Sequence, residues 1–374
     1  MTVMIVTVIA VAVFALLANS QYKRATAIAH LSDGEKPKLT SYYLFVFICA
    51  AILAGVAGLR FYVGADFGGY YWGYLKWLGR FDESIRNWSE PGLSVLAKIL
   101  YIFTDDGAYF ILLTSVLTVF MFVFPMAKYS EDFFFVVMLY VFTSCWSGAF
   151  NGVRQYMAAA VFFAGHRLLY ERKFIRYCIL VFLAASFHIT ALIMLPMYFI
   201  ISQHLNYKKI FFIIVFGIVL VFSYDTLFSF MGVLQDDPTS TSADTTYAQN
   251  EIHPLRIAIA FAPILLYLFM SIQNKEFSGE ENFYICFMFV NAAVIFGTAN
   301  SAYLNRAGIY FRPFIPLSLY HLVNKFDKSQ QLLLKSVILI LYAIVWIYID
   351  AVGVEWSWVF ERGEEFFNKY GYEY

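Results

Sequence analysis

Four arginines stand at the ends of apolar runs in this chain. They are Arg60 in Gly58-Leu59-Arg60, Arg154 in Asn151-Gly152-Val153-Arg154-Gln155, Arg306 in Asn305-Arg306 and Arg312 in Phe311-Arg312-Pro313. A guanidinium presents a planar fork of donors that fits phosphate oxygens two at a time, where an ammonium offers only a point charge. Several such forks together suit a phosphate or pyrophosphate. Any one of them alone is also explained as a long side chain snorkelling toward lipid headgroups. That explanation is weakest for Arg154, which an Asn-Gly break and a glutamine accompany. A charge at membrane depth costs at least ~2.5–3.5 kcal/mol, so each arginine is expected to face protein and to have a partner.

Acid–base candidates are few. Of six histidines, His30, His204 and His321 lie on or near the lysine-rich side, His166 toward the inner half of its apolar run, and His253 in an outer loop. Only His188 falls toward the outer half, where the chain reads as a broken helix. An imidazole there can take a proton from a hydroxyl, or it can make a structural hydrogen bond that holds the break together. Asp66, in Gly64-Ala65-Asp66-Phe67-Gly68-Gly69-Tyr70-Tyr71, is either the counter-ion of Arg60 or a base or ligand for a hydroxylated substrate. Glu90 opens Glu90-Pro91-Gly92, a helix start with proline in the first position. Its charge suits either the helix dipole or catalysis. Asn151, Gln155, Asn305, Tyr70 and Tyr71 are the neutral groups placed to contact a substrate. There is no Asp-x-Asp pair, no Walker-type loop and no Gly-x-Ser-x-Gly, which leaves metal–nucleotide-sugar and serine-hydrolase chemistry unsupported. Cys49, Cys145, Cys178 and Cys286 sit singly in apolar runs, as small buried hydrophobes do. Neither a disulfide, a metal site nor a cofactor is expected.

These residues need a membrane to position them. Of 374 residues 61% are hydrophobic and 14% charged, against about 25% charged in ordinary globular chains. Lipid must therefore be the solvent for much of the surface. The net charge of +0 offers no case for nucleic acid as a partner. Apolar runs of helical spanning length recur at 3–18, 41–59, 107–126, 132–149, 152–170, 174–187, 189–204, 209–230, 254–272, 283–299, 308–323 and 331–349. The pattern predicts an all-α, polytopic integral membrane protein with roughly 11–13 transmembrane helices. Residues 91–104 read as a re-entrant or interfacial helix, and His188 with Pro196 breaks the run at 174–204. The chain reads as a single transmembrane domain over 1–374, with outer loops 60–106 and 231–253 covering the site. The N-terminal run has no basic flank and no cleavage site, and reads as a retained span. Lysine-rich loops gather on one face, which places that face in the cytoplasm and both termini outside. The opposite face carries Arg60, Arg154, Arg256, Arg306 and Arg312, the acidic loops and an aromatic, acidic tail from Glu355 onward.

In this order, Gly58-Leu59-Arg60 with Gly64-Ala65-Asp66, Glu90-Pro91-Gly92, Asn151-Gly152-Val153-Arg154-Gln155, Phe187-His188-Ile189-Thr190-Ala191 and Asn305-Arg306 resemble the EpsG-like branch of the Wzy polysaccharide polymerases. The resemblance covers roughly residues 41–325. It implies a glycosyltransferase of the GT-C type in the bacterial inner membrane, fed by a flippase and working with a chain-length regulator. Such an enzyme transfers a growing glycan from undecaprenyl pyrophosphate onto a lipid-linked repeat unit, making exopolysaccharide, capsule or O-antigen. The chemistry asks for fixed cations on the pyrophosphate, a base on the acceptor hydroxyl, a lateral groove for the lipid and polar walls for the glycan. Arg60, Arg154, Arg306 and Arg312 fit the first need, and His188 or Asp66 the second, with inversion in a single step. An O-antigen ligase-like or single-sugar transferase differs only in its acceptor. A transporter of lipid-linked sugars would place charge on both faces and show repeated halves, and no repeat is evident.

Overall fold

The computed structural model describes residues 1–31, 36–222, 252–302 and 304–361. Among these residues the protein is an all-α, polytopic membrane protein, with one isolated β-bridge between Arg60 and Trp358. Five helices are long and apolar enough to cross a bilayer: Thr2–Leu31, Thr40–Gly58, Gly107–Lys128, Pro254–Ile272 and Lys328–Ala351. Several other apolar runs are folded as shorter pieces. The run at 132–149 becomes Phe133–Phe142 and Cys145–Gly148, broken where Ser144 adopts a left-handed backbone (φ 61). The run at 152–170 becomes Val153–Ala164 and Arg167–Tyr170. That at 174–204 becomes Phe174–Ala185, a 3-10 turn at Ile189–Met194 and Met197–Ile200, with Pro196 ahead of the last. Most of the expected outer loop 231–253 lies outside the described residues, as does the tail beyond residue 361.

The chain packs as two compact units. The first comprises Met1–Ala164, Leu180–Ala191 and Trp346–Tyr374. Its helices are α1 (Thr2–Leu31), α2 (Thr40–Gly58), α3 (Phe67–Tyr71), α4 (Gly73–Gly79), α5 (Phe81–Asn87), α6 (Pro91–Tyr101), α7 (Gly107–Lys128), α8 (Phe133–Phe142), α9 (Cys145–Gly148) and α10 (Val153–Ala164). Segment 60–106 carries four short helices, the last of them within the stretch 91–104 expected to be helical. In lipid there is no hydrophobic drive between helices, so close approach through small residues does the packing. Gly58 shows this where α2 meets α7, since a Cβ there would lie 2.8 Å from the Leu112 Cα. Tyr42 ties the other end of α2 to α7 by donating to the Ala127 carbonyl at 2.8 Å. Asn19 on α1 donates to Asp132, which caps α8, at 2.7 Å.

The second unit comprises Gly165–Ile179 and Leu192–Val345. Its central helix, Gly279–Gly297, begins with a reciprocal cap in which Ser278 N–H donates to the Glu281 carboxylate at 2.6 Å and Glu281 N–H to Ser278 Oγ at 3.3 Å. Two of its buried polar contacts meet at Tyr284: His166 Nε2 meets the Tyr284 hydroxyl at 2.9 Å, and Ser318 donates to the Tyr284 carbonyl at 2.7 Å.

Candidate active site

The site in the first unit begins with a close backbone approach. The helix Phe174–Ala185 ends just before Ser186, and the 3-10 turn from Ile189 does not continue its hydrogen-bond ladder. The Ser186 carbonyl therefore accepts from outside, from Gly92 N–H at 2.8 Å. Only glycine permits this contact: a Cβ on Gly92 would lie 2.6 Å from Ser186 Oγ and 3.0 Å from the Ser186 oxygen. The approach docks the first turn of α6 beside the helix break, two residues from His188. Pro91 fills the first position of α6, and Glu90 before it is held in the left-handed region at φ 54, ψ 50. A non-glycine residue there stores strain that its surroundings must maintain.

That backbone aims the Glu90 carboxylate inward, and both of its oxygens are used. Oε1 lies 2.7 Å from His188 Nδ1 and Oε2 lies 2.7 Å from Arg154 Nη1. The Glu90 side chain makes no cap hydrogen bond to α6; its hydrogen bonds go to His188 and Arg154. The side chains of Glu90 and His188 are 15% and 12% exposed, whereas that of Arg154 is 39% exposed. The base–carboxylate pair is thus covered and the guanidinium remains reachable. Burial alone pushes the Glu90 carboxyl upward, but the His188 hydrogen bond and the Arg154 charge outweigh it and hold the group below the usual carboxylate range. An ionised Glu90 only accepts, so the hydrogen of a neutral His188 resides on Nδ1 and the lone pair on Nε2. Among the described residues no hydrogen bond engages Nε2.

Neighbouring groups complete the surroundings. The Tyr70 hydroxyl, on a side chain 7% exposed, feels both the Arg154 and the Asp66 charge, and burial raises it above the usual phenol range. Gln155 Nε2 donates to Thr190 Oγ1 at 3.3 Å, joining the residue after Arg154 to the second residue after His188. Asn151 Oδ1 accepts from Ala65 N–H at 2.6 Å and fastens the Gly64-Ala65-Asp66 turn, in which Gly64 has φ +101. Tyr71 packs in the aromatic group of Phe61, Phe67 and Trp72.

Arg60 is placed differently from the expectation of an Asp66 counter-ion. Its side chain is fully covered and turns back beneath the end of α2, where Nε donates to the Val63 carbonyl at 3.2 Å, Nη1 to the Ala57 carbonyl and Nη2 to the Phe150 carbonyl at 3.3 Å. The Phe150 ring lies 4.9 Å from its guanidinium carbon. Carbonyl oxygens supply the partners for which Asp66 was one of the alternatives. Arg306 and Arg312 belong to the second unit, in the 3-10 turns Leu304–Tyr310 and Arg312–Phe314, and both are half-buried. Asn305 there donates to Thr298 Oγ1 at 3.0 Å.

Two contributors were not picked out from the sequence as site-builders. Gly92 and Thr190 occur inside the motif words, yet nothing in the words states that one admits the Ser186 carbonyl and the other receives Gln155.

What the first unit presents is a charged donor fork open to solvent, a covered imidazole with a free nitrogen, and one carboxylate fixing both. Such a set can bind an anion and accept a proton beside it. No group of three or more His, Cys, Asp or Glu able to hold a metal occurs among the described residues. Comparison with curated proteins and with solved structures finds no significant match. The EpsG family model matches residues 42–358, and the chain belongs to the EpsG family, of polysaccharide polymerase-type membrane proteins.

Proposed function

We propose that this protein polymerises a polysaccharide by transferring a growing glycan from undecaprenyl pyrophosphate onto the terminal sugar of a lipid-linked repeat unit, at the outer face of the inner membrane. The observation that carries this reading is the Glu90 carboxylate holding Arg154 through one oxygen and His188 through the other. His188 Nε2 takes the proton of the acceptor hydroxyl as its oxygen bonds to the anomeric carbon of the donor sugar. The bond from that carbon to the pyrophosphate oxygen breaks, and the leaving group departs with the electron pair. Arg154 holds the developing charge, so that a fixed cation serves where other transferases use a metal. Displacement in one step inverts the anomeric centre. Asp66 and Tyr70 line the acceptor side, and we assign Arg60 to the scaffold because its donors are spent on backbone carbonyls. A flippase to deliver the repeat unit and a chain-length regulator are the partners this reaction calls for.

Deleting the gene and analysing lipid-linked glycans tests the function. Single repeat units accumulate and long polymer disappears if the reading holds; normal polymer lengths overturn it. Full-length polymer retained on lipid but missing from its final acceptor would indicate a ligase. Retention of the donor's anomeric configuration in the product overturns the single-step mechanism. Arg154→Lys keeps the charge and loses the fork, and should lower transfer at least tenfold; full activity would show that bidentate geometry is not needed.

A further inference from the structure

One aromatic segment of the first unit has no part in the transfer step. Residues 357–359 run beside residues 59–61: Phe61 N–H donates to the Ser357 carbonyl and Val359 N–H to the Leu59 carbonyl, each at 2.9 Å, with Trp358 opposite Arg60. Val359 packs on the cluster of Phe61, Phe67, Tyr70, Ile111 and Val153. That cluster includes the residue preceding Arg154 and the tyrosine that senses its charge. The segment is therefore fastened to the floor of the site.

Every second residue of the segment is aromatic. Trp356 and Trp358 have centroids 5.5 Å apart; Trp358 and Phe360 lie 5.7 Å apart with planes within 10°. The inner end is anchored, with Trp356 against Phe150 at 5.9 Å, while the outer end, Phe360, is 70% exposed. Carboxylates flank the row. Glu355 and Glu361 are exposed, and Glu361 accepts from Trp358 N–H at 2.8 Å, which holds the turn that presents Phe360.

We propose that Trp358 and Phe360, with Glu355 and Glu361, form a carbohydrate subsite that holds the glycan beside the reacting centre. The proposal rests on the polymerase reading and names where the sugar chain lies. A sugar ring has an apolar C–H face, which packs on an aromatic face, and a rim of hydroxyl donors, which carboxylates accept. A lipid-facing belt asks only for aromatic rings at the interface. It does not ask for rings in one row, flanked by carboxylates that anionic headgroups repel, hydrogen-bonded to the segment that bears Asp66 and Tyr70.

The test uses Phe360→Ala, whose exposed position keeps the core intact, beside Phe360→Trp, in full-length protein reconstituted in lipid. The probe is a set of oligosaccharides cut from the polymer that disappears on gene deletion, with binding read by tryptophan fluorescence. Loss of one stacked ring should weaken binding about tenfold and shorten the polymer, and Phe360→Trp should retain both. Wild-type affinity in Phe360→Ala overturns the subsite, and so does a defect confined to association with anionic lipid vesicles. If gene deletion leaves polymer intact, the polymerase reading itself fails; if deletion stops polymer while Phe360→Ala binds normally, only the subsite fails.

Discussion

Replacing Glu90 by glutamine changes one atom of the side chain and reverses the logic of the site. The carboxylate accepts from Arg154 Nη1 and His188 Nδ1, each at 2.7 Å. Arg154 can only donate, so the amide oxygen of Gln must turn toward it. The amide NH2 then faces His188 Nδ1, and two donors cannot share that contact. His188 must move its hydrogen to Nε2, which becomes a donor where the reaction needs an acceptor. In serine-protease triads the comparable carboxylate-to-amide change costs about 10⁴ in kcat through the wrong tautomer. For Glu90→Gln we expect a loss of about 10³–10⁴, equivalent to about 4–5.5 kcal/mol of barrier. Stability should move far less, by about 1 kcal/mol, because the shape is retained and Arg154, at 39% exposed, keeps water as a substitute partner. The assay is single-turnover transfer from a purified lipid-linked repeat unit, with thermal melts of the same preparations. Turnover within tenfold of wild type and an unchanged pH profile would refute the assignment of His188 Nε2 as the base.

Gly92→Ala tests the positioning contact. Alanine gains up to ~1 kcal/mol in helix propensity, but a Cβ 3.0 Å from the Ser186 oxygen forces the two segments apart at about 1–3 kcal/mol. A displacement of ~1 Å between Glu90 and His188 should cost about 10²-fold in turnover, and unchanged turnover would remove Gly92 from the argument. Arg60→Met should instead be a folding defect. It leaves the Ala57, Val63 and Phe150 carbonyls without their donor, at about 1–3 kcal/mol each. Melting temperature and membrane abundance should fall while turnover per folded molecule stays within a few-fold; the opposite pattern would return Arg60 to the substrate. Glu90 also predicts a pH dependence of stability. Its folded carboxyl titrates below the usual carboxylate range, so its contribution is complete above that range and is lost as pH falls through the folded value. Melts of wild type should decline through that acid window more steeply than those of Glu90→Gln, and parallel curves would show that the pairing contributes nothing.

Spanning helices with uninterrupted apolar runs were legible: 107–126 against the observed Gly107–Lys128, and 254–272 against Pro254–Ile272. The break near His188 was legible as well, because a polar ring and a proline interrupt an apolar run. In segment 60–106, α6 was legible as the apolar stretch at 91–104, whereas α3, α4 and α5 were not. These three are 5 to 7 residues long, too short to carry an amphipathic period, and α3 is held by contacts such as Gly107 against the Tyr71 carbonyl. In the site, Arg154, Glu90 and His188 were each nameable as costly polar groups. Their union was hidden, since Glu90 stands 64 residues from Arg154 and 98 from His188 in sequence. Proximity along the chain suggested Asp66 as one possible partner of Arg60, whereas a buried guanidinium near a helix end finds carbonyl oxygens ready to accept.

A single carboxylate shared between a cation and a base also couples two binding events. In the proposed reaction, a pyrophosphate arriving on Arg154 would compete for the charge that Glu90 spends there, leaving that charge to the imidazolium formed when His188 accepts a proton. Thermodynamic linkage makes the effect reciprocal: protonation of His188 draws Glu90 away and frees Arg154 for phosphate. In the proposed reaction, donor and acceptor would then act with positive cooperativity within one active site, and deprotonation of the hydroxyl would be favoured once a glycan is in place to receive it.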